Sequence, residues 1–446
     1  MPNNKDNYYL YIDFGATRIK WVLEKKSSRI IRNGEIENPY INLWSKVEID
    51  VKILFQRIKL LIESLVNRYN ISNILISSQM HGFALQNSNG EVITNYISWM
   101  DQRFVNNSYK KYEYIKQNYS ELFLMKTGMP IKSGIPFFNS IEAIKNCNTK
   151  SAKLLSLPEL ILILFGVSNP HVHITMAAGT GFYNVYEGTI IDEFLSIHRN
   201  MSGKKIIFNP ISFDYMHFVI KINNKDIKLS IGYGDHQCAV LGAGNTVNTI
   251  SLNLGTGSQV SQIVYRKNFD KMGFSDKIQV RPYFEKNQLL ECITHIPSGR
   301  VLNQFISFFN NRSIKEIWND IEKLNIIDLK KASMKIDLSI FPDSWNFKIE
   351  GGGIFFIKDG ELTYRNAINS LIKSYGDQYI NAIRIVEKRY RNKRDIIILS
   401  GGISKRIPVI KKYLKYSLNK KIKILKINQN IDETILGLKK IIIYEN

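Results

Sequence analysis

Three stretches of the chain set residues that could do phosphoryl chemistry beside backbone that could cradle a phosphate. Asp13-Phe14-Gly15-Ala16-Thr17-Arg18-Ile19-Lys20 puts a carboxylate at the end of an apolar run, then a glycine and a hydroxyl residue. Such a carboxylate can hold a hydrated Mg²⁺, which keeps several waters and takes only one or two protein carboxylates. Gly15 lets a phosphate approach the backbone. Leu254-Gly255-Thr256-Gly257-Ser258 repeats the plan far downstream, with small residues that leave backbone N–H groups free for oxyanions. Gly232-Tyr233-Gly234-Asp235-His236-Gln237 leads into a small, apolar run, Cys238–Gly244. Asp235 would stand at a helix start, where the dipole favours its ionised form. An Asp so placed can accept the proton of a hydroxyl as a phosphoryl group arrives. It is equally a preferred helix cap, and an Asp or Gly in a hairpin is ordinary, so residue types alone leave both readings open.

Two further stretches have binding character. Ser77-Ser78-Gln79-Met80-His81-Gly82, with Trp99-Met100-Asp101-Gln102-Arg103 downstream, offers donors, acceptors and an indole face to a polyhydroxylated molecule. Leu399-Ser400-Gly401-Gly402-Ile403-Ser404 is a Gly-Gly turn against which a flat base or ribose could lie. A structural histidine at 81, a core Trp99 and a plain strand-to-helix turn are the alternatives.

These pieces need elements to hold them, and the hydrophobic pattern supplies them. Tyr8–Asp13 and Ile19–Leu23 read as one hairpin, Thr249–Leu254 and Gln259–Tyr265 as a second. Val51, Leu54, Phe55, Ile58, Leu61, Ile62 and Leu65 recur at helical spacing, and Ile74–Ser77 follows as a strand. In the second half, Ile368, Leu371, Ile372, Tyr375, Tyr379, Ile383 and Val386 mark a long helix. Ile396–Ser400 is then a strand, Lys405–Leu418 a helix, Lys421–Leu425 a strand and Glu433–Tyr444 a closing helix. Strands alternating with helices predict α/β lobes with mixed sheets. Two lobes of similar plan are expected, 1–247 and 248–446, each opening on a phosphate-sized hairpin.

Composition narrows the class. The chain has 446 residues, enough for two or three domains, and no apolar run long enough to span a membrane. MPNNKDNYYLYIDFG lacks the zones of a signal peptide, so a cytoplasmic location is expected. Cys147, Cys238 and Cys292 form no CxxC and no spacing with histidines, which argues against disulfides and structural zinc. The net charge is +22, but lysines are spread along the chain rather than clustered, so no nucleic-acid partner is expected. A positive field would still draw in a nucleotide triphosphate.

Taken together and in order, the motifs resemble the FGGY carbohydrate kinases, of the superfamily shared by sugar kinases, heat-shock ATPases and actin. Asp13–Lys20 is similar to the first phosphate motif, Ser77–Gly82 to the Ser-Gly-Gln-Met-His-Gly stretch of xylulokinase-like members, and Trp99–Arg103 to a Trp-x-Asp-x-Arg segment. Thr175–Gly181 also has a counterpart. Gly234-Asp235 resembles the pair that carries the catalytic base, Leu254–Gly257 the second phosphate motif, Ser400–Gly402 the adenosine motif, and Asp432–Gly437 the start of the final helix. The resemblance implies two RNase H-like lobes with mixed sheets flanked by helices and a cleft between them. ATP would lie mainly on the C-terminal lobe and the sugar against the N-terminal one. Asp235 would be the base and Asp13 the Mg²⁺ carboxylate. Gly15, Thr17, Lys20, Gly255, Thr256, Gly257, Gly401 and Gly402 would hold the nucleotide, and Gln79, Met80, His81, Trp99, Asp101 and Arg103, with Asp235, the sugar. The expected partners are a sugar and ATP, without nucleic acid or membrane; a homodimeric state is left open.

Arg18 departs from the family at a position usually held by a small hydroxyl residue; it could bind a phosphate or swing to solvent. Ala16, Ser78 and Asn184 also depart, and the C-terminal half is short. Gln79-Met80-His81-Gly82 favours a ketose. The segments Gly234–Gln237, Leu252–Gln259 and Arg281-Pro282-Tyr283-Phe284 look closest to sedoheptulokinase-like members. The expected acceptor is a seven-carbon ketose such as sedoheptulose, with xylulose or another pentulose as the alternative. Competing readings are a catalytically weak sugar or nucleotide sensor and an actin- or chaperone-like ATPase; the second has no need of Gln79–His81 or Trp99–Arg103.

Overall fold

The computed structural model describes residues 6–43, 46–255, 258–308, 312–341, 344–347, 351–390, 394–425 and 431–444. The chain forms two compact α/β units. The first comprises Met1–Gly242, Val280–Lys286 and Ile427–Asn446, and the second Ala243–Gln279 and Asn287–Lys426.

In the first unit, β1 (Tyr8–Phe14), β2 (Arg18–Lys25) and β3 (Arg29–Glu37) form an antiparallel meander. β4 (Ile71–Ser78) lies parallel to β1 on its other side. β5 (His217–Ile222) pairs with β6 (Lys225–Ser230), which lies parallel to β4, and the two-residue β7 (Tyr233–Gly234) also pairs with β4. The order is therefore β5-β6-β4-β1-β2-β3. β1 is buried almost throughout, with Leu10, Ile12 and Phe14 each 0% exposed, as expected of a strand covered on both faces. The helix Val51–Val66 begins where Asp50 caps it, accepting from the Ile53 N–H at 2.9 Å. Its Val51, Leu54, Ile58, Ile62 and Leu65 fall on one buried face; each fully buried aliphatic side chain contributes about 1.5–3 kcal/mol.

The second unit repeats the plan. β8 (Thr249–Asn253), β9 (Ser258–Tyr265) and β10 (Gln288–Ile296) form the meander, and β11 (Ile396–Ser400) and β12 (Lys421–Ile424) add in parallel beside β8, in the order β10-β9-β8-β11-β12. Three antiparallel strands followed by parallel ones is the arrangement of β3-β2-β1-β4-β6. The expected long helix runs Tyr364–Lys388 and buries Ile368, Leu371, Ile372, Tyr375, Tyr379, Ile383 and Val386 in the unit's core.

Two expectations need adjustment. The helix read over Lys405–Leu418 is two pieces, Ile403–Arg406 and Pro408–Leu418. Pro408 opens the second, and the residue before a proline is driven from helical ψ, as Ile407 is at φ −126°, ψ 72°. The chain passes to the second unit at Gly242–Ala243, close to the expected 247, but Val280–Lys286 and the closing helix Glu433–Tyr444 belong to the first unit. A single cut along the sequence assumes contiguous units. The closing helix instead packs on the helix Asp235–Gly242 through glycines: a Cβ on Gly242 would lie 1.8 Å from the Glu433 carbonyl oxygen, and one on Gly437 2.1 Å from that of Cys238.

Candidate functional site

The first unit gathers the acidic groups. Asp13 is the penultimate residue of β1, opposite Lys20 across the hairpin and beside Ser77 of β4, whose hydroxyl donates to its Oδ1 at 2.8 Å. The turn beyond Asp13 is held from behind. Asn38 Nδ2 donates to the carbonyls of Gly15 at 2.9 Å and Ala16 at 3.1 Å, and the Tyr40 hydroxyl donates to Ala16 at 2.6 Å. Thr17 is exposed at the tip. Arg18 pairs with Glu35 of the neighbouring strand at the surface.

Asp235 opens its helix where β7 ends, its Oδ1 accepting from the His236 N–H at 2.7 Å. The turn before it is tied down, since the Gly234 N–H donates to Thr175 Oγ1 at 3.0 Å and that hydroxyl lies 2.8 Å from His173 Nδ1. Burial pushes the Asp235 carboxyl up from 3.8 to about 6, against the opposing pull of the His236 N–H and the Arg281 guanidinium. Asp13 is also held well above the usual carboxylate range, by burial first and then by Asp432 and Asp235. Three carboxylates thus share one electrostatic neighbourhood. A buried carboxylate raised by its own kind is one that a bound cation would relieve, and one or two carboxylates suffice for Mg²⁺. Among the described residues no three His, Cys, Asp or Glu are grouped to hold a metal by themselves, so Asp13 fits such an ion only with water or phosphate completing its shell.

Sequence reasoning gave Asp432 no role. It sits just before the closing helix, accepts from the Ile435 N–H at 3.1 Å, and takes the Lys20 ammonium on Oδ2 at 2.7 Å. Burial pulls Lys20 down, but Asp432, with Asp13 and Glu433, more than offsets it and holds the lysine charged. Arg281 had entered only as part of a family segment. It is 6% exposed, with Nη1 2.9 Å from His236 Nδ1 and 3.7 Å from Met80 Sδ. Its segment is pinned on both sides, by Val280 N–H to the Gly128 carbonyl at 2.8 Å and by Gln237 Nε2 to the Pro282 carbonyl at 3.3 Å. Phe284 continues it into a cluster of rings with His173, Tyr215 and Tyr233. The Asp–Glu pair at the start of the last helix and a lone arginine in an apolar segment were the available signals.

Gln79 and Met80 are buried at 2% and 5% exposure beyond β4, and His81 follows at φ 62°, its Nδ1 2.7 Å from the Gly179 carbonyl oxygen. Left-handed backbone in a non-glycine residue is strain of the kind found at functional sites. The fully buried Tyr96 hydroxyl has no protein hydrogen-bond partner. A buried polar group left unpaired costs about 1–3 kcal/mol.

The segment Trp99–Arg103 is arranged differently. Asp101 is 0% exposed and receives Arg103 Nε on Oδ1 and Nη2 on Oδ2, both at 2.8 Å; it also accepts from the Val47 N–H. Arg103 Nη2 also reaches Glu48 at 2.6 Å. The charges of this pair are taken up internally, while Trp99 is half-buried.

In the second unit, Asn253 ends β8 in the register that Asp13 holds on β1, opposite Gln259 and beside Ser400, to whose hydroxyl it donates at 3.2 Å. Gly255 follows, its carbonyl accepting from Ser298 Oγ at 2.8 Å; Thr256 and Gly257 lie outside the described residues. Gly401 needs to be glycine twice over: φ is 87°, and a Cβ would lie 2.4 Å from the Leu254 carbonyl. At Gly402 a Cβ would meet nothing within 4 Å, so open space lies over that turn.

Residues 8–202 match the family model described as "FGGY family of carbohydrate kinases, N-terminal domain". No curated protein matches the chain in sequence. Solved structures share its fold. A gluconate kinase from Lactobacillus acidophilus is similar at 20% identity and TM-score 0.82, over 99% of this chain and 90% of that one. A xylulose kinase from the same organism is similar at 19% and 0.80, over 99% and 90%. Plasmodium falciparum glycerol kinase, solved with ADP, is similar at 16% and 0.79, over 98% and 89%. No described helix is long and apolar enough to cross a membrane. The matched segment covers the first hairpin and the Gln79–His81 turn, so residues 8–202 are similar to the N-terminal domain of the FGGY carbohydrate kinases, and the whole chain shares the fold of the solved kinases.

Proposed function

We propose that this chain is an FGGY-type carbohydrate kinase that moves the γ-phosphoryl group of ATP onto a hydroxyl of a ketose, with a seven-carbon ketose such as sedoheptulose preferred and xylulose or another pentulose next. The observation that carries the reading is Asp235: a carboxylate at a helix start, raised to about 6 by burial and thus a stronger base than a free aspartate, yet largely ionised at neutral pH. It accepts the proton of the attacking hydroxyl. Gln79, Met80 and His81 hold the sugar beside it. The internal Asp101–Arg103 pair is assigned to bracing the segment that presents Trp99 rather than to touching sugar. Lys20 binds a phosphate, and Gly15 and Thr17 supply the turn for it. Gly255, Thr256, Gly257, Gly401 and Gly402 hold the nucleotide on the second unit. Asp13 would hold Mg²⁺, which would supply charge neutralisation for the transferred phosphoryl group.

One observation favours a second acceptor class. Arg281 puts a permanent positive charge beside Met80 and His236, and a carboxylate-bearing sugar acid would meet it; gluconate is named as the substrate of one kinase of this fold. The test is release of ADP in a coupled assay with ATP and a panel of heptuloses, pentuloses, aldonates and glycerol. Fastest turnover with a heptulose supports the first reading, and fastest turnover with an aldonate the second. Binding without turnover of any sugar would leave the sensor reading in place of both.

A further inference from the structure

The hydroxyl of Tyr96 has no place in the phosphate turn or in the Gln79–His81 grip, yet it is buried, unpaired and lies against Gly82, the residue after that grip. Tyr96 lies on the short strand Tyr96–Ile97, 0% exposed, opposite Ile49. Its oxygen abuts the turn after β4: a Cβ on Gly82 would fall 2.3 Å from it, so the glycine at 82 is what lets the ring reach that far. Gly82 directly follows the Gln79-Met80-His81 stretch. The phenol is held neutral well above its ordinary range, by burial first and then by the charges of Tyr40 and Asp235. Tyr40 spends its own hydroxyl on the Ala16 carbonyl of the phosphate turn. The Tyr96 hydroxyl has no protein partner. A buried hydroxyl is normally paired, and the chain could have avoided the cost with phenylalanine.

We propose that Tyr96 is a specificity-determining residue whose hydroxyl hydrogen-bonds one hydroxyl of the acceptor sugar, on the Gly82 side of Asp235. The inference rests on the sugar-kinase reading of that site. The ligand chemistry follows from the geometry: a neutral phenol can both donate and accept, which matches a hydroxyl rather than a carboxylate or a methyl group. With sugar bound, the unpaired oxygen of Tyr96 finds a partner.

Tyr96→Phe separates this role from a structural one, because the two predict opposite signs. The variant removes one unpaired oxygen, so its thermal midpoint without ligand should be no lower than that of the wild type. Its KM for the accepted sugar should rise about tenfold, the worth of one hydrogen bond to a neutral group, with the KM for ATP unchanged. Among monodeoxy analogues of that sugar, one should be discriminated about tenfold by the wild type and hardly at all by the variant. An unchanged sugar KM, or a lowered midpoint with equal loss on every analogue, overturns the assignment and leaves Tyr96 a packing residue hydrated by water. A wild-type protein that phosphorylates no sugar overturns the kinase reading of the site and this inference with it. A competent wild type beside an unaffected variant overturns the inference alone.

Discussion

The environment of Asp235 makes its ionisation visible in the rate. Its carboxyl rises from 3.8 to about 6 on folding, mainly through burial. At about 1.4 kcal/mol per unit, ionising it in the protein costs about 3 kcal/mol more than in water. A general base must be ionised to act, so kcat/KM for the sugar should fall with pH through an acid limb near 6, about tenfold per unit below it. The Arg281 guanidinium works against that rise. Arg281→Met should therefore move the limb to higher pH, lowering activity most between pH 6 and 7 and least where the base is fully ionised in both proteins. Asp235→Asn removes the base and should cost about 10²–10⁴ in kcat, while sugar binding by calorimetry stays near normal. The assay is ADP release at saturating ATP and Mg²⁺ across the pH range, with enzyme pre-incubated at each pH and returned to neutrality to exclude unfolding. A limb near 4, a limb that Arg281→Met leaves in place or lowers, or near-normal turnover by Asp235→Asn would refute the assignment.

Two other perturbations test how the site is held. Asp432 should act through Lys20: Lys20→Met and Asp432→Asn should each raise the KM for ATP several-fold, and the second change should add little in the presence of the first; full additivity would mean that Asp432 works only as a helix cap. Gly242→Ala would put a methyl group 1.8 Å from the Glu433 carbonyl oxygen and force the two helices apart; a loss of about 1–3 kcal/mol in urea unfolding is expected, with a higher KM for ATP as Asp432 is displaced, and an unchanged midpoint would show that the helices do not cross there.

The site was legible where chemistry and chain direction coincide. Asp13 stands at the end of an apolar run and next to a glycine turn, Asp235 at the start of a small-residue helix, and Gly401 at a strand end. Each is a local arrangement that residue type and spacing announce. Trp99–Arg103 shows the opposite case. Its charges looked available for a ligand, but they close on one another and on Glu48, 55 residues back, and the spacing of Asp101 and Arg103 does not say whether they reach outward or toward each other.

What the sequence determined by itself was the pair of strand–turn–strand units, the helices that cover them and the residues at strand ends, because periodicities of 2 and 3.6 and the needs of tight turns act within a few residues. Only the tertiary structure decided that Asp432 meets Lys20 across 412 residues, that Arg281 reaches His236 across 45, and that the Tyr96 hydroxyl lies unpaired against Gly82. Those relations depend on which faces pack. Here the packing runs through glycines at 82, 242, 401 and 437, whose missing side chains let backbone and rings approach to distances that no pattern along the chain records.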